Sequence, residues 1–189
     1  MRLLALVAAL GAVVIGVTLW AWGQPLICTC GEVRLWVGSV FDSGNSQHIA
    51  DWYTLSHILH GVLIALVGRL VFPRVRGEVL LAVAIVSGVG WEVIEHTDFV
   101  LEAFRATTIN AGYHGDSVLN AVADYLWMLG GFAVAMALRT PAVVAMVLAF
   151  ELTAGFVARD SLVLSTLMLV YPLEAVESWQ QEINPLATI

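Results

Sequence analysis

The chain has 189 residues, 60% of them hydrophobic, and a mean hydropathy of +0.88. Soluble domains carry about 45–50% apolar residues, so the composition excludes an ordinary soluble fold and indicates a single polytopic membrane domain over residues 1–189. The net charge is −7 and all 8 basic residues are arginine, which argues against nucleic acid as a partner, since that needs a basic footprint.

Arg2 precedes the first apolar run, Leu3–Trp20. Signal-peptide cores span about 7–15 residues. This run is longer, so residues 1–22 read as a retained anchor helix rather than a cleaved leader. Cys28 is not a lipoprotein cysteine, because Pro25-Leu26-Ile27 lacks the small residue such a site needs. Residues 23–54 form a first outward segment with Cys28, Cys30, His48 and Asp51. A soft-metal site, a disulfide with a partner cysteine or two idle thiols are all open for the cysteines; a bridge across one intervening residue is strained.

Apolar segments then follow at Leu55–Phe72, Val79–Ile94, Val118–Leu138, Ala142–Val157 and Leu162–Trp179. The expectation is an all-α membrane bundle of about six spans, each needing about 17–25 residues. The third segment is short and is expected to extend through His96 into Phe99. The sixth is interrupted by Pro172, so it either crosses with a kink or turns along the interface. A second outward segment covers 97–116. Arg2, Arg69, Arg74, Arg76 and Arg139 fall on one side and Arg34, Arg105 and Arg159 on the other. The positive-inside rule then places the N-terminus in the cytoplasm.

The charges inside the apolar runs carry the functional reading. With ~1.5 Å of rise per residue, His60, Glu92, Asp124 and Glu151 come out at a similar depth, ~7–10 Å below the outer surface of a ~30 Å core. Ionisable residues at such depth usually face a bundle interior and mark a site. His57 and His60 share a helix face, as do Glu92 and Glu95. Asp116, Asn120 and Asp124 form a stripe at steps of four. Histidine with carboxylates from several helices is a transition-metal ligand set of the kind that projects into bundle cores. The candidate ligands of a divalent metal ion are His57, His60, Glu92, Glu95, His48 and Asp51. Asp116, Asp124 and Glu151 are the candidate catalytic carboxylates. Arg105 and Arg159, with Tyr113 and Asn120, are the candidates for holding an anionic or lipid-linked substrate. Ser56 with His60 is a weaker nucleophile–base pair. His96 and His114 read as interfacial or loop histidines. Trp20, Trp22, Trp36, Trp52 and Trp179 read as an interfacial belt.

These residues stand in recognisable stretches: Ser46-Gln47-His48-Ile49-Ala50-Asp51-Trp52-Tyr53, Ser56-His57-Ile58-Leu59-His60-Gly61, Trp91-Glu92-Val93-Ile94-Glu95, Tyr113-His114-Gly115-Asp116-Ser117 and Arg159-Asp160. The combination resembles the bacterial multi-pass membrane family known as domain of unknown function 2585. The sequence departs from that family's pattern at His96, Ser161 and Ser165, where the pattern has asparagine. The resemblance implies a place in the bacterial cell (inner) membrane and no particular activity. The residues themselves point first to a metal-dependent hydrolase working on a lipid-linked or anionic substrate at the outer leaflet. A metal-ion or proton carrier and a scaffold subunit are the alternatives, with protein partners unspecified.

Overall fold

The computed structural model describes residues 2–107, 109 and 112–184, which form eight helices and no strand. They are α1 (Arg2–Ala21), α2 (Thr54–Val71), α3 (Gly77–Glu95), α4 (Asp98–Thr107), α5 (Val118–Ala137), α6 (Thr140–Val157), α7 (Leu162–Val170) and α8 (Glu174–Gln181). Among the described residues five helices, α1, α2, α3, α5 and α6, are long and apolar enough to cross a membrane. Their short connections, 72–76 and 138–139, lie on one face of the bundle. The long connections, 22–53 and 96–117, lie on the other, called here the loop face.

The central pair is α2 and α5. Apolar side chains gain little from leaving lipid for a helix interface, so association relies on close packing, and small residues permit it. Gly61 of α2 lies so near the Met128 carbonyl that a Cβ would collide with it, and Gly131 of α5 meets the Ile58 carbonyl in the same way. Val62, Ala65, Met128, Phe132 and Ala135 fill the seam. α1 joins through Tyr125, which is fully buried and donates its hydroxyl to the Ala8 carbonyl at 3.2 Å. At the far end of α2, the Arg69 guanidinium donates to the carbonyls of Ala135 (2.7 Å) and Leu138 (2.9 Å) and to the Thr140 hydroxyl (3.3 Å). It thereby satisfies carbonyls that the end of α5 leaves without helical partners.

The first connection has no regular structure but a definite task. Val118 and Leu119, at the start of α5, donate their amides to the carbonyls of Pro25 (2.8 Å) and Leu26 (3.1 Å). Ser117 caps the same helix through the Asn120 amide. The orphan N–H groups that every helix start presents are thus covered by residues far away in sequence. Trp127 Nε1 and the Asn120 side chain bind the Ile49 and His48 carbonyls, tying the connection along α5.

One expectation is corrected. The third segment does not continue into Phe99. α3 ends at Glu95, His96 leaves the helix with ψ 9°, and the Thr97 hydroxyl and amide both turn back onto the Ile94 carbonyl. A separate amphipathic helix, α4, then begins, with Asp98 in its first turn and Arg105 in its last, as the helix dipole favours. The sixth segment, open between a kinked crossing and a turn along the interface, forms two short helices rather than one span. Pro172 separates α7 from α8, and the Trp179 carbonyl comes back to accept a 2.9 Å hydrogen bond from Arg159. The excursion starts and finishes beside the same arginine, which favours the turn, and among the described residues five helices have the length and composition to cross.

Candidate functional site

At the loop-face end of the central helices, His57 projects from the first turns of α2 between carboxylates of two other helices. Its Nδ1 lies 3.4 Å from Glu92 Oε1 of α3, and its Nε2 lies 3.9 Å from Asp124 Oδ2 of α5. Glu95, one turn beyond Glu92, and Asp116, just before α5, complete the cluster. Glu92 and Asp124 are 1% and 2% exposed, and all five side chains are buried. Ligand atoms of His57, Glu92 and Glu95 lie within 4.8 Å of one another. Tetrahedral ligands on one ion at ~2.1 Å sit roughly 3.4 Å apart, a spacing these side chains reach by small rotations.

Neighbouring polar groups hold the carboxylates in place. The Tyr113 hydroxyl donates to Asp116 Oδ1 at 2.8 Å and lies 3.4 Å from Glu95 Oε1. Burial, then the Asp116 charge, keeps that phenol protonated well above its usual range. The Thr54 hydroxyl donates to Asp124 Oδ1 at 3.2 Å and accepts the Asp51 amide at 3.0 Å. Against these donors, Glu92 Oε2 and Glu95 Oε2 are fully buried with no hydrogen-bond partner among the described residues.

His96 differs from the interfacial or loop role expected of it. It is buried, its Nε2 accepts the Asp116 amide at 2.8 Å, and its Nδ1 faces the Glu92 carbonyl at 2.7 Å. That pattern fixes the neutral Nδ1–H tautomer and occupies both nitrogens. His96 can group with Glu92 and Asp116 by distance, but it has no lone pair left to give a metal. One donor and one acceptor are what an asparagine amide also offers at this position.

The remaining candidates fall in other places. Asp51 accepts backbone amides from Ser46 (2.7 Å) and Tyr53 (2.8 Å). Burial raises its affinity for a proton, and these two amides oppose that. Ser46 pays for the turn with φ 60°, a left-handed conformation unusual for a residue with a Cβ. His48 accepts the Arg34 amide at 3.2 Å and groups with Cys28 and Cys30. Those cysteines are joined to each other as a disulfide. Burial, then Arg34, lowers the basicity of His48. His60 faces the Ser87 hydroxyl at 3.4 Å, and no hydrogen bond joins it to Ser56 among the described residues. Asn120 supports the His48 carbonyl. Glu151 accepts the Val163 amide at 3.2 Å and so positions the start of α7. Arg105 donates to the Tyr113 carbonyl at 3.3 Å. Arg159 binds Glu182 at 3.0 Å and stacks 4.5 Å over Trp179.

A cavity of about 680 Å³ reaches the cluster. His57, His60, Glu95, Asp116 and Asp124 line its polar end together with Tyr53, Ser56 and Asp160, and no arginine lines it. Tyr53 and Asp160 were not singled out as site residues from the sequence. The Tyr53 hydroxyl donates to Asp160 Oδ2 at 3.1 Å, while Ser161 N and Ser165 Oγ both donate to Oδ1 at 2.9 Å. Burial nonetheless raises the Asp160 pKa to about 6, against the pull of those three donors. Both stand in the stretches quoted above, but nothing in their spacing marked them as site residues; Arg159 pairs with Glu182 rather than with its neighbour Asp160.

The sequence matches the family described as "Protein of unknown function (DUF2585)" over residues 19–182. It is 48% identical over 162 residues to a UPF0314 protein of Paracoccus denitrificans, covering 86% of this chain and 83% of the relative. It is 44% identical over 176 residues to UPF0314 proteins of Rhizobium meliloti and Sphingopyxis alaskensis, covering 93% of this chain and 89% and 91% of those relatives. No solved structure matches. The chain therefore belongs to the DUF2585 family, whose relatives carry the name UPF0314.

Proposed function

We propose that this protein is a membrane-embedded, metal-dependent hydrolase whose site, near the loop face, acts on a lipid-linked or anionic substrate. His57, Glu92 and Glu95 would hold a divalent ion. The observation that carries this reading is the pair of buried, partnerless carboxylate oxygens, Glu92 Oε2 and Glu95 Oε2, beside the His57 ring. Buried charges persist when paired or bound to metal. Here four carboxylates meet one imidazole, whose two nitrogens face Glu92 and Asp124, and a divalent cation would supply further positive charge. The arginines of the opposite face support an orientation in which the loop face is extracytoplasmic.

A divalent ion held by these residues would supply Lewis-acid chemistry, lowering the pKa of a bound water and polarising a phosphoryl or carbonyl oxygen. Asp124 is placed to accept a proton from an attacking water, with Thr54 holding one of its oxygens and leaving the other toward His57. The net reaction adds one water across an ester, and the proton taken by Asp124 returns to the departing oxygen. Asp116 and Tyr113 orient Glu95 and close the far wall.

The test is elemental analysis of detergent-purified protein combined with hydrolysis assays on phospholipid vesicles. The expected result is one equivalent of divalent metal per chain. Metal and turnover should both disappear in His57→Ala, while size-exclusion behaviour and helical content persist. Protein that stays metal-free after incubation with zinc, manganese or magnesium contradicts the reading. Ligand carboxylates must be deprotonated, so metal should be released as pH falls.

A further inference from the structure

Below the polar cluster the same cavity continues as an apolar groove. It is walled by Leu63, Ile64 and Val67 of α2 and by Val79, Leu80 and Val83 of α3, and it reaches Phe72 and Val75 in the turn between them. No ionisable residue lines it beyond His60. From His57 to Phe72 the helix rises ~22 Å, which is most of a ~30 Å hydrocarbon core. The groove is open sideways: Val67, Val79 and Val83 are 47%, 52% and 50% exposed. All three lie on crossing helices, at a depth where the surrounding solvent is acyl chain.

We propose that this groove holds one long hydrocarbon chain of a membrane lipid, entering laterally between α2 and α3, so that its head group lies at the carboxylate cluster. The inference rests on the metal-site reading for what happens to the head group, but not for the seating of the chain. Three observations select this occupant. The groove is continuous with the polar cluster, so a molecule filling both must be amphiphilic. Its apolar walls offer no donor or acceptor, and an extended peptide there would leave its backbone groups unsatisfied. A helix of a second copy, about 10–12 Å across, cannot descend between α2 and α3, which close on each other where Leu80 packs against Gly68. α4 and α7 also line the cavity, α4 through Phe104 and α7 through Leu162, Ser165, Thr166 and Leu169. The substrate class is therefore a lipid with at least one long alkyl or isoprenoid chain, rather than a water-soluble ester.

The test uses the full-length protein in vesicles of phosphatidylethanolamine and phosphatidylglycerol containing a trace of phosphatidylglycerol with a diazirine on one acyl chain. After illumination, labelled positions are mapped by mass spectrometry. Leu148 and Leu152 of α6, 56% and 58% exposed and outside the cavity, report ordinary boundary lipid. Labelling around Val67, Val79 and Val83 should exceed that at α6 about tenfold, as a preferential site of modest affinity would give. Val67→Trp and Val83→Trp, both at half-exposed positions, should abolish the excess and leave α6 labelling and metal content unchanged. Labelling equal to that of α6 overturns the proposal, as does an excess that survives both tryptophans. Crosslinks between two copies through α3 in place of lipid adducts also overturn it. Metal content is read in the same samples, so a groove that labels without metal counts against the metal site alone, and metal without excess labelling counts against the groove alone.

Discussion

Arg69 and Glu92 are both charged residues inside crossing helices, and the protein treats them in opposite ways. Arg69 lies ~18 Å of helix rise from His57, and its guanidinium is spread over the carbonyls of Ala135 and Leu138 and the Thr140 hydroxyl. That charge completes the end of α5 and is used up in doing so. Glu92 at the other end keeps one oxygen buried without a donor and sits among Glu95, Asp116 and Asp124. The Arg69 end spends its charge on holding the fold together. At the loop face, charge is gathered at a cost to stability, which is the pattern expected where a site is waiting for a ligand.

The largest expected effect tests whether the seam that brings the two ends into register is as tight as the glycines indicate. Gly61→Ala drives a Cβ into the Met128 carbonyl and should cost on the order of 3 kcal/mol or more, read as loss of monodisperse protein. Gly90→Ala, which meets nothing within 4 Å, should be silent in the same assay. Next comes Asp160, at the margin of the cluster. Its folded pKa of about 6 lies above the unfolded carboxylate value, so the folded state binds the proton more tightly. Stability should therefore fall as pH rises from about 4 to 6, by roughly 2–3 kcal/mol, and stay at the lower level above that. Asp160→Asn keeps an acceptor for Ser161 and Ser165 and should flatten this dependence in pH-resolved thermal melts.

Arg69→Ala should lower stability by about 2 kcal/mol, because it strands buried acceptors. The smallest effect sharpens the contrast most. With metal removed by chelator, Glu92→Gln should melt at or slightly above the wild type, by about 0–1 kcal/mol, since it replaces one of four crowded carboxylates that share a single imidazole with a neutral amide. A large loss of chelated-state stability in Glu92→Gln would erase the distinction between the two ends.

The crossing helices and the shared depth of Glu92 and Asp124 were legible because charge in an apolar run is costly and therefore informative. Three things were not. His57 and His60 share a face by spacing, and only the rotation of α2 fixed by Gly61 against Met128 decides that His57 meets the carboxylates while His60 turns to Ser87. Glu151 matches the others in depth but belongs to α6, where its place is taken up by the Val163 amide. Depth read from sequence gives no azimuth, so it could not separate these cases. His96 gave no signal either, because its role depends on Asp116, 20 residues away, returning to the end of α3. α4 was hidden within a connection that hydropathy alone treats as loop.

X-ray absorption at the metal edge of the purified protein tests the centre of this account most directly. The account predicts a first shell of nitrogen and oxygen at about 2.0–2.2 Å, with outer-shell scattering from a single imidazole that is lost in His57→Ala. A shell containing sulfur would place the metal at His48 with Cys28 and Cys30, their disulfide reduced, instead. That result, or a spectrum unchanged by His57→Ala, would contradict it.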